Sequence, residues 1–275
     1  MDRRKVEEIF DKYAEEYSSG PFAPARYDTS RLAMSFADDI TWHFMLKYLP
    51  KDRSVRILDA GGGDGYWAEK LITLGYHDIV LSDLSQGMLE QAKKRFAKVK
   101  GAHDIAFVKS DIADMKEFQS SLFDYVFSQY DAVSYCLDPL SAMKELARVA
   151  KPQSYVIVSL DTKFRRVPEL IEAGLVDEAE KLLTTNISYD FDWPQYNLTW
   201  EELAGCFEAG GLDVIEAAGA PVFMHQVKAE TLQKLEKDAG TRQRLLKMEL
   251  DHCTNRSLVN FAGHLQMVGR KRKSK

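Results

Sequence analysis

An α/β fold, built on a mostly parallel sheet wound with helices on both faces, is predicted by three observations. The run Val55-Arg-Ile-Leu-Asp-Ala-Gly-Gly-Gly-Asp-Gly-Tyr66 passes from an aliphatic strand into a glycine-dense turn and then into an amphipathic helix. A second strand, residues 78–82, ends in Asp83, so that Asp59 and Asp83 can line one crevice at the carboxyl ends of adjacent parallel strands. Strand and helix patterns then alternate through Leu160, as parallel strands joined by crossover helices require.

Taken in order, the first fifty residues read as two helices. Val6, Ile9, Phe10 and Tyr13 recur at helical spacing, as do Leu32, Phe36, Ile40, Phe44 and Leu49, and the turn-rich residues 18–24 connect them. Helices are expected at 66–74, 85–99 and 139–149, and strands at 125–127, at 155–160 and just before Ser110-Asp111-Ile112. Beyond Leu160 the pattern breaks into something the sheet does not need. Residues 167–183 read as one or two helices around Gly174, and 187–198 as an aromatic-rich hairpin. Thr199, with Glu202 three residues on, is a capping box that opens a helix stopped by Gly210-Gly211. Residues 212–217 form the sixth strand, 229–240 and 241–252 charged amphipathic helices, and 263–269 the closing strand. The chain thus reads as one domain, 1–275, with a helical cap at 1–50, a sheet core at 51–162, 199–218 and 263–270, and cap insertions at 163–198 and 219–262.

At 275 residues, 45% hydrophobic and 29% charged, the chain has material for one sizeable core with insertions. No apolar run is long enough to span a membrane, and the first residues lack a signal peptide's apolar centre, so no membrane partner is expected. Cys136, Cys206 and Cys253 are odd in number and far apart, which gives neither a disulfide framework nor a zinc spacing. A reducing cytoplasm fits, and no metal is expected. The net charge of −5 argues against a protein devoted to nucleic acid. The tail, Arg270-Lys-Arg-Lys-Ser-Lys275, is the exception and reads as a solvated, frayed terminus. Nothing in the sequence sets the oligomeric state.

The glycine spacing separates two cofactor classes. A dinucleotide fingerprint wants G-x-G-x-x-G, and its third place falls on Tyr66 or, counted from Gly63, on Ala68. The acid two residues before Gly61 suits a cationic ligand better than a pyrophosphate. The pattern is D-x-G-x-G-x-G, and with Leu81-Ser-Asp-Leu-Ser-Gln-Gly-Met-Leu89 and Ser110-Asp111-Ile112 it resembles the class I S-adenosylmethionine-dependent methyltransferases over roughly residues 50 to 220. The resemblance implies a Rossmann-like, doubly wound, seven-stranded sheet with an antiparallel last strand, and S-adenosylmethionine as cofactor. It implies that Asp59 and the Gly61, Gly63 and Gly65 backbone hold the methionine moiety and that Asp83 accepts the ribose hydroxyls. Leu84 and Met88 would sandwich the adenine, Asp111 and Ile112 address its amino edge, and Ser128 and Gln129 lie beside the sulfonium. Tyr17 and Arg31 are carried over as cofactor neighbours, Arg31 toward the methionine carboxylate. One departure is Lys151-Pro-Gln-Ser154, where the family usually reads Lys-Pro-Gly-Gly.

Candidates for the chemistry follow strand ends. Tyr130, Asp131 and Tyr135 come after the fourth strand; Asp131 is read equally as a base or orienting group and as a turn residue. His225, after Pro221-Val-Phe-Met224, is a reasonable base at neutral pH, although a packing role is at least as good a reading. His43 is weaker, and His252 and His264 look structural. Tyr189, Phe191, Trp193 and Tyr196 could wall a pocket or simply pack the insertion. The leading expectation is methyl transfer to a small-molecule acceptor, with nucleic acid not the expected partner. Two alternatives stand beside it. One is a tRNA wobble-uridine carboxylate methyltransferase, since 58–65 and 250–271 resemble the bacterial tRNA carboxymethoxyuridine enzymes. The other is a non-catalytic protein that only binds the cofactor.

Overall fold

The structure, a computed structural model, describes residues 4–19, 31–102, 104–190 and 193–273. Seven strands form one sheet in the order β3-β2-β1-β4-β5-β9-β8: β1 (Ile57–Ala60), β2 (Ile79–Asp83), β3 (Ala106–Lys109), β4 (Phe123–Ser128), β5 (Ala150–Asp161), β8 (Leu212–Ala220) and β9 (His264–Lys271). β1 to β5 are parallel, and β9 runs antiparallel to both β5 and β8. The doubly wound sheet with an antiparallel last strand is as expected. Strand order reverses between β1 and β4, which opens a crevice outside their carboxyl ends, where an open α/β sheet binds its ligands.

Successive residues of each strand feed opposite layers, as the pleat requires. Leu58, Ala60, Val126, Val156 and Val158 pack with α6 (Pro139–Val149) and α9 (Trp200–Gly210) on one face. Ile57, Tyr125, Phe127 and Ile157 pack with α3 (Tyr66–Thr73) and α4 (Gln86–Phe96) on the other. Because both faces are covered, the central strands are continuously apolar, which is why the sequence showed them as unbroken aliphatic runs. The capping box opening α9 is present in both its hydrogen bonds.

Helices and a hairpin surround the carboxyl edge. α1 (Arg4–Ser19) packs on α4, and α2 (Arg31–Tyr48) packs on β8. The connector between them lies outside the described residues. α5 (Ala132–Tyr135) follows β4, and α7 (Lys163–Glu172) and α8 (Val176–Thr185) follow β5, before the hairpin of β6 (Ile187–Asp190) and β7 (Trp193–Tyr196). A single 3-10 turn (Met224–Gln226), α10 (Ala229–Glu236), α11 (Ala239–His252) and α12 (Arg256–Val259) lie between β8 and β9. Among the described residues no helix is long and apolar enough to cross a membrane.

Two expectations change. β5 begins at Ala150 rather than at 155, so Lys151-Pro-Gln-Ser154 is strand, with Gln153 in the left-handed region at φ 69°. Pairing of Ala150 with Phe123, and a register shift in the ladder, accommodate it. The basic tail is not simply frayed. Arg270 and Lys271 belong to β9, the Lys271 ammonium donates to the carbonyls of Ala150 (2.6 Å) and Arg148 (3.1 Å), and Arg272 pairs with Asp213 at 2.7 Å. Unmet carbonyls at the start of β5 recruit these cations; sequence alone does not show that pairing.

Candidate active site

The first loop brings backbone close to everything around it. Gly61 sits at φ 69°, and a Cβ there would stand 2.3 Å from the Cβ of Ala132. The amides of Gly61 and Gly62 both donate to the Ser82 carbonyl (2.8 and 3.0 Å), tying the turn to β2. The Gly63 amide donates to Asp83 Oδ2 at 2.9 Å, while Asp83 Oδ1 accepts from the Ser85 amide at 2.9 Å. Asp59 and Asp83 therefore do share one crevice. Burial pushes the Asp83 carboxyl up to about 6, against the lowering effect of those amides. Asp59 is raised well above its ordinary value, by burial first and then by the charges of Asp83 and Asp64. Its Oδ2 is buried with no hydrogen-bond partner among the described residues.

Further unpartnered buried polar atoms face this problem at the end of β4: Ser128 Oγ and both amide atoms of Gln129. Buried polar groups are nearly always satisfied, so a concentration of orphans marks a place built for something polar. Two repelling acids with a free carboxylate oxygen call for a cation and hydroxyl donors. Met88, Ile112 and half-buried Leu84 supply an apolar wall, and Asp111 accepts from the Ala113 amide at 2.9 Å.

α1 crosses above this edge. Asp11 accepts from the Ser85 hydroxyl and from the Gly87 amide, Glu7 pairs with Lys109, and Phe10 meets Tyr135 edge-on at 5.4 Å. Gly87 permits the approach, since a Cβ there would press on Ala14 and Asp11 at 3.1 Å. Tyr17 is half-buried in the same helix, and the Arg31 side chain lies outside the described residues.

Next along the edge stands a second polar cluster. Tyr130 and Asp131 both adopt positive φ (56° and 74°), a sparsely populated backbone that persists only where surroundings impose it. The Tyr130 amide donates to Ser159 Oγ at 2.9 Å, and the Asp161 amide donates to Asp131 Oδ1 at 2.8 Å. Asp131 Oδ2 lies 3.4 Å from His264 Nε2, and Asp161 Oδ1 lies 3.5 Å from the same nitrogen. Arg165 donates to Asp161 and to Glu169 at 2.6 Å each, and Gln195 of the hairpin donates to Asp161 Oδ2 at 2.6 Å. Asp131, Asp161 and His264 offer atoms within 4.8 Å of one another, a spacing a cation could use; Arg165 already neutralises part of that charge. Burial and Asp161 raise Asp131. Arg165 and His264 hold Asp161 below its ordinary value despite burial. The Tyr130 and Tyr66 hydroxyls both donate to Asp38 of α2, closing that helix onto the loop.

His225 sits in the 3-10 turn, near this cluster. Burial, then Arg165, pushes it down to about 4, so it is neutral at neutral pH. Its turn is fixed by Glu249 of α11, fully buried, whose carboxylate accepts from the amides of Val222 (2.7 Å), Phe223 (2.9 Å) and Met224 (2.7 Å). Sequence reasoning missed Glu249, Arg165 and Gln195, which come from segments remote in sequence and carry no motif. The aromatic cluster is not one unit. Trp193 is buried and donates to the Tyr135 carbonyl, Tyr196 packs on the main core, Tyr189 is exposed, and Phe191 lies outside the described residues. His43 and His252 are exposed.

The family model described as a methyltransferase domain matches residues 57–153, which span the glycine loop, Asp83, Asp111 and β4. The chain is 24% identical to the tRNA 5-carboxymethoxyuridine methyltransferase of Escherichia coli K12, with 97% of each chain covered. That match to the loop-bearing segment agrees with the sheet order above. Residues 57–153 match a methyltransferase domain, and the chain as a whole resembles the class I S-adenosylmethionine-dependent methyltransferases. This methyltransferase is also 27% identical to the demethylmenaquinone methyltransferase of Clavibacter sepedonicus, over 69% of this chain and 79% of that one. Its fold matches the methyltransferase solved in complex with the Trm112 activator of Haloferax volcanii, with TM-score 0.63, 20% identity, and 98% and 99% of the two chains covered. S-adenosylmethionine is the cofactor, and the crevice fits it. A cationic ligand that also carries hydroxyl donors would answer the paired acids Asp59 and Asp83, and the Cβ-free loop leaves room for a ligand against the backbone.

Proposed function

We propose that this methyltransferase acts on a small-molecule acceptor held at the carboxyl edge between β4, β5 and β9, in the cytoplasm. The observation that carries the reading is where charge lies. β9 runs away from the crevice, so its terminal cations stand seven residues from His264, roughly 24 Å at the strand rise. Around the crevice several described cations are engaged: Lys109 with Glu7, Arg165 with Asp161 and Glu169, and Arg242 with Asp39. Such an edge, roofed by α1, α2 and the hairpin, is a poor track for a phosphate backbone and a good enclosure for one metabolite.

In this reading Asp59 and the backbone from Gly61 to Gly65 hold the methionine part of the cofactor. Asp83 takes the ribose hydroxyls, Leu84 and Met88 flank the adenine, and Asp111 with Ile112 reads its edge. Ser128 and Gln129 lie beside the sulfonium, with Tyr17 and Arg31 as further neighbours. When bound, the cofactor supplies a methyl group already activated for in-line displacement. The chain supplies alignment and a dry enclosure, so that water cannot compete. Tyr130, Asp131 and His225 are the groups placed to meet an acceptor; His225, already neutral, is able to accept a proton.

One observation favours a second reading. The match to the tRNA enzyme spans 97% of both chains, roofing segments included. Labelled S-adenosylmethionine supplied to the enzyme with separate low-mass and RNA fractions of cell extract distinguishes the two. Label entering a low-mass product is the expected result; label entering tRNA alone would overturn the small-molecule reading.

A further inference from the structure

We infer that His264, held by Asp131 and Asp161, is the group that takes the acceptor's proton, and that the acceptor presents a hydroxyl and carries no negative charge. This rests on the proposed acceptor site and adds a residue and a substrate class to it.

His264 opens β9 at the carboxyl edge and is only 8% exposed. Its Nε2 faces the Asp131 and Asp161 carboxylates, while its Nδ1 is buried with no partner among the described residues. A ring with one nitrogen fixed by carboxylate and the other left free is the arrangement of an oriented base. The Tyr130 ring meets it edge-on at 4.9 Å and limits its rotation. Asp131 and Asp161 come from the loop after β4 and from β5, Arg165 from α7, and His225 from the 3-10 turn; these groups and Tyr130 face it. Asp131 raises the affinity of His264 for a proton, although burial and Arg165 oppose that. His225, held neutral by burial first and by Arg165 second, is the weaker base.

The charges also describe the acceptor. With His264 neutral, as a base must be, Asp161 is matched by Arg165 and Glu169 by Arg165 and Arg166, which leaves the charge of Asp131 unmatched until the ring takes a proton. Such a cluster repels an anionic acceptor and favours a group that donates a hydrogen bond, as a hydroxyl does. In the step, the acceptor O–H bond breaks and its proton goes to Nδ1. The oxygen electron pair forms the bond to the methyl carbon, whose bond to sulfur breaks with both electrons remaining on sulfur. Positive charge thus passes from sulfonium to imidazolium, where Asp131 receives it.

The test uses the full chain with labelled S-adenosylmethionine and both the low-mass and RNA fractions as acceptor source, so that a wrong acceptor size and a wrong base give different results. Whichever fraction accepts label, His264→Gln should lower turnover on the order of a hundredfold while S-adenosylhomocysteine affinity, by calorimetry, is unchanged. Turnover in the unmodified enzyme should rise with pH through a value above that of free histidine, and Asp131→Asn should move this limb downward. Nitrogen-15 histidine spectra of the same proteins with S-adenosylhomocysteine should show the His264 ring titrating in step. Full turnover in His264→Gln, or a pH limb unmoved by Asp131→Asn, would overturn the inference; label carried only by an amine or a carboxylic acid would overturn its substrate class.

Discussion

Buried carboxylates decide this crevice, and their predictions belong to single residues. Asp59 is ionised only at a cost in the free protein, because burial, Asp83 and Asp64 all oppose it. Asp59→Asn should therefore raise the melting temperature of the free chain at neutral pH, yet weaken S-adenosylmethionine binding on the order of tenfold, about 1.4 kcal/mol. Scanning calorimetry and titration calorimetry on one preparation check both signs. A second residue is Gln153, which occupies the left-handed region that glycine adopts without strain. A non-glycine residue there costs about 1–2 kcal/mol. Gln153→Gly should recover part of that, less the hydrogen bond from its amide to the Lys271 carbonyl. An increase of about 0.5–1 kcal/mol in urea unfolding is expected, with methyl transfer unchanged because the site lies at the opposite edge of the sheet.

At the scale of elements, what was legible in the sequence is what a short motif or a period encodes. The glycine loop joins β1 to α3 because three alternate glycines and two flanking acids are local information, and the Thr199–Glu202 capping box is equally local. The extension of β5 back to Ala150, the four-residue α5 and α12, and the anchoring of the basic tail were not legible. The β5 extension and the tail depend on partners more than twenty residues away, such as the Ala150 carbonyl that Lys271 meets, and the two helices are too short to show a period. His264 was read as structural for the same reason: its carboxylate neighbours arrive from β5 and the loop after β4. The tail now gives a split result. Removing residues 270–275 cuts into β9 and should lower the melting temperature measurably, whereas alanine at exposed Arg272 and Lys273 should leave methyl transfer intact. Glu249 makes a matching prediction for the turn that carries His225. Glu249→Gln keeps the volume but sets an amide against three donors, and should cost about 2–3 kcal/mol in urea unfolding.

For the whole molecule, the account ties fold to chemistry through one arrangement. A reversal of strand order opens the crevice, two acids on adjacent strands meet in it, and α1 and α2 close over it. The pH behaviour follows from Asp83, whose carboxyl rises from 3.8 in the unfolded chain to about 6 in the folded one. A raised carboxyl binds its proton more tightly when folded. Its stabilising contribution is therefore complete below about 4 and is lost as pH rises through about 6. In the proposed site bound cofactor would reverse this, its hydroxyls donating to the ionised form. The most direct measurement is the affinity of S-adenosylmethionine by titration calorimetry from pH 5 to pH 8, in the native chain and in Asp83→Asn. The native affinity should strengthen by about tenfold across that range with proton release near pH 6, and the variant should bind weakly with no such rise. An affinity independent of pH in the native chain, or NAD bound more tightly than S-adenosylmethionine, would contradict the account.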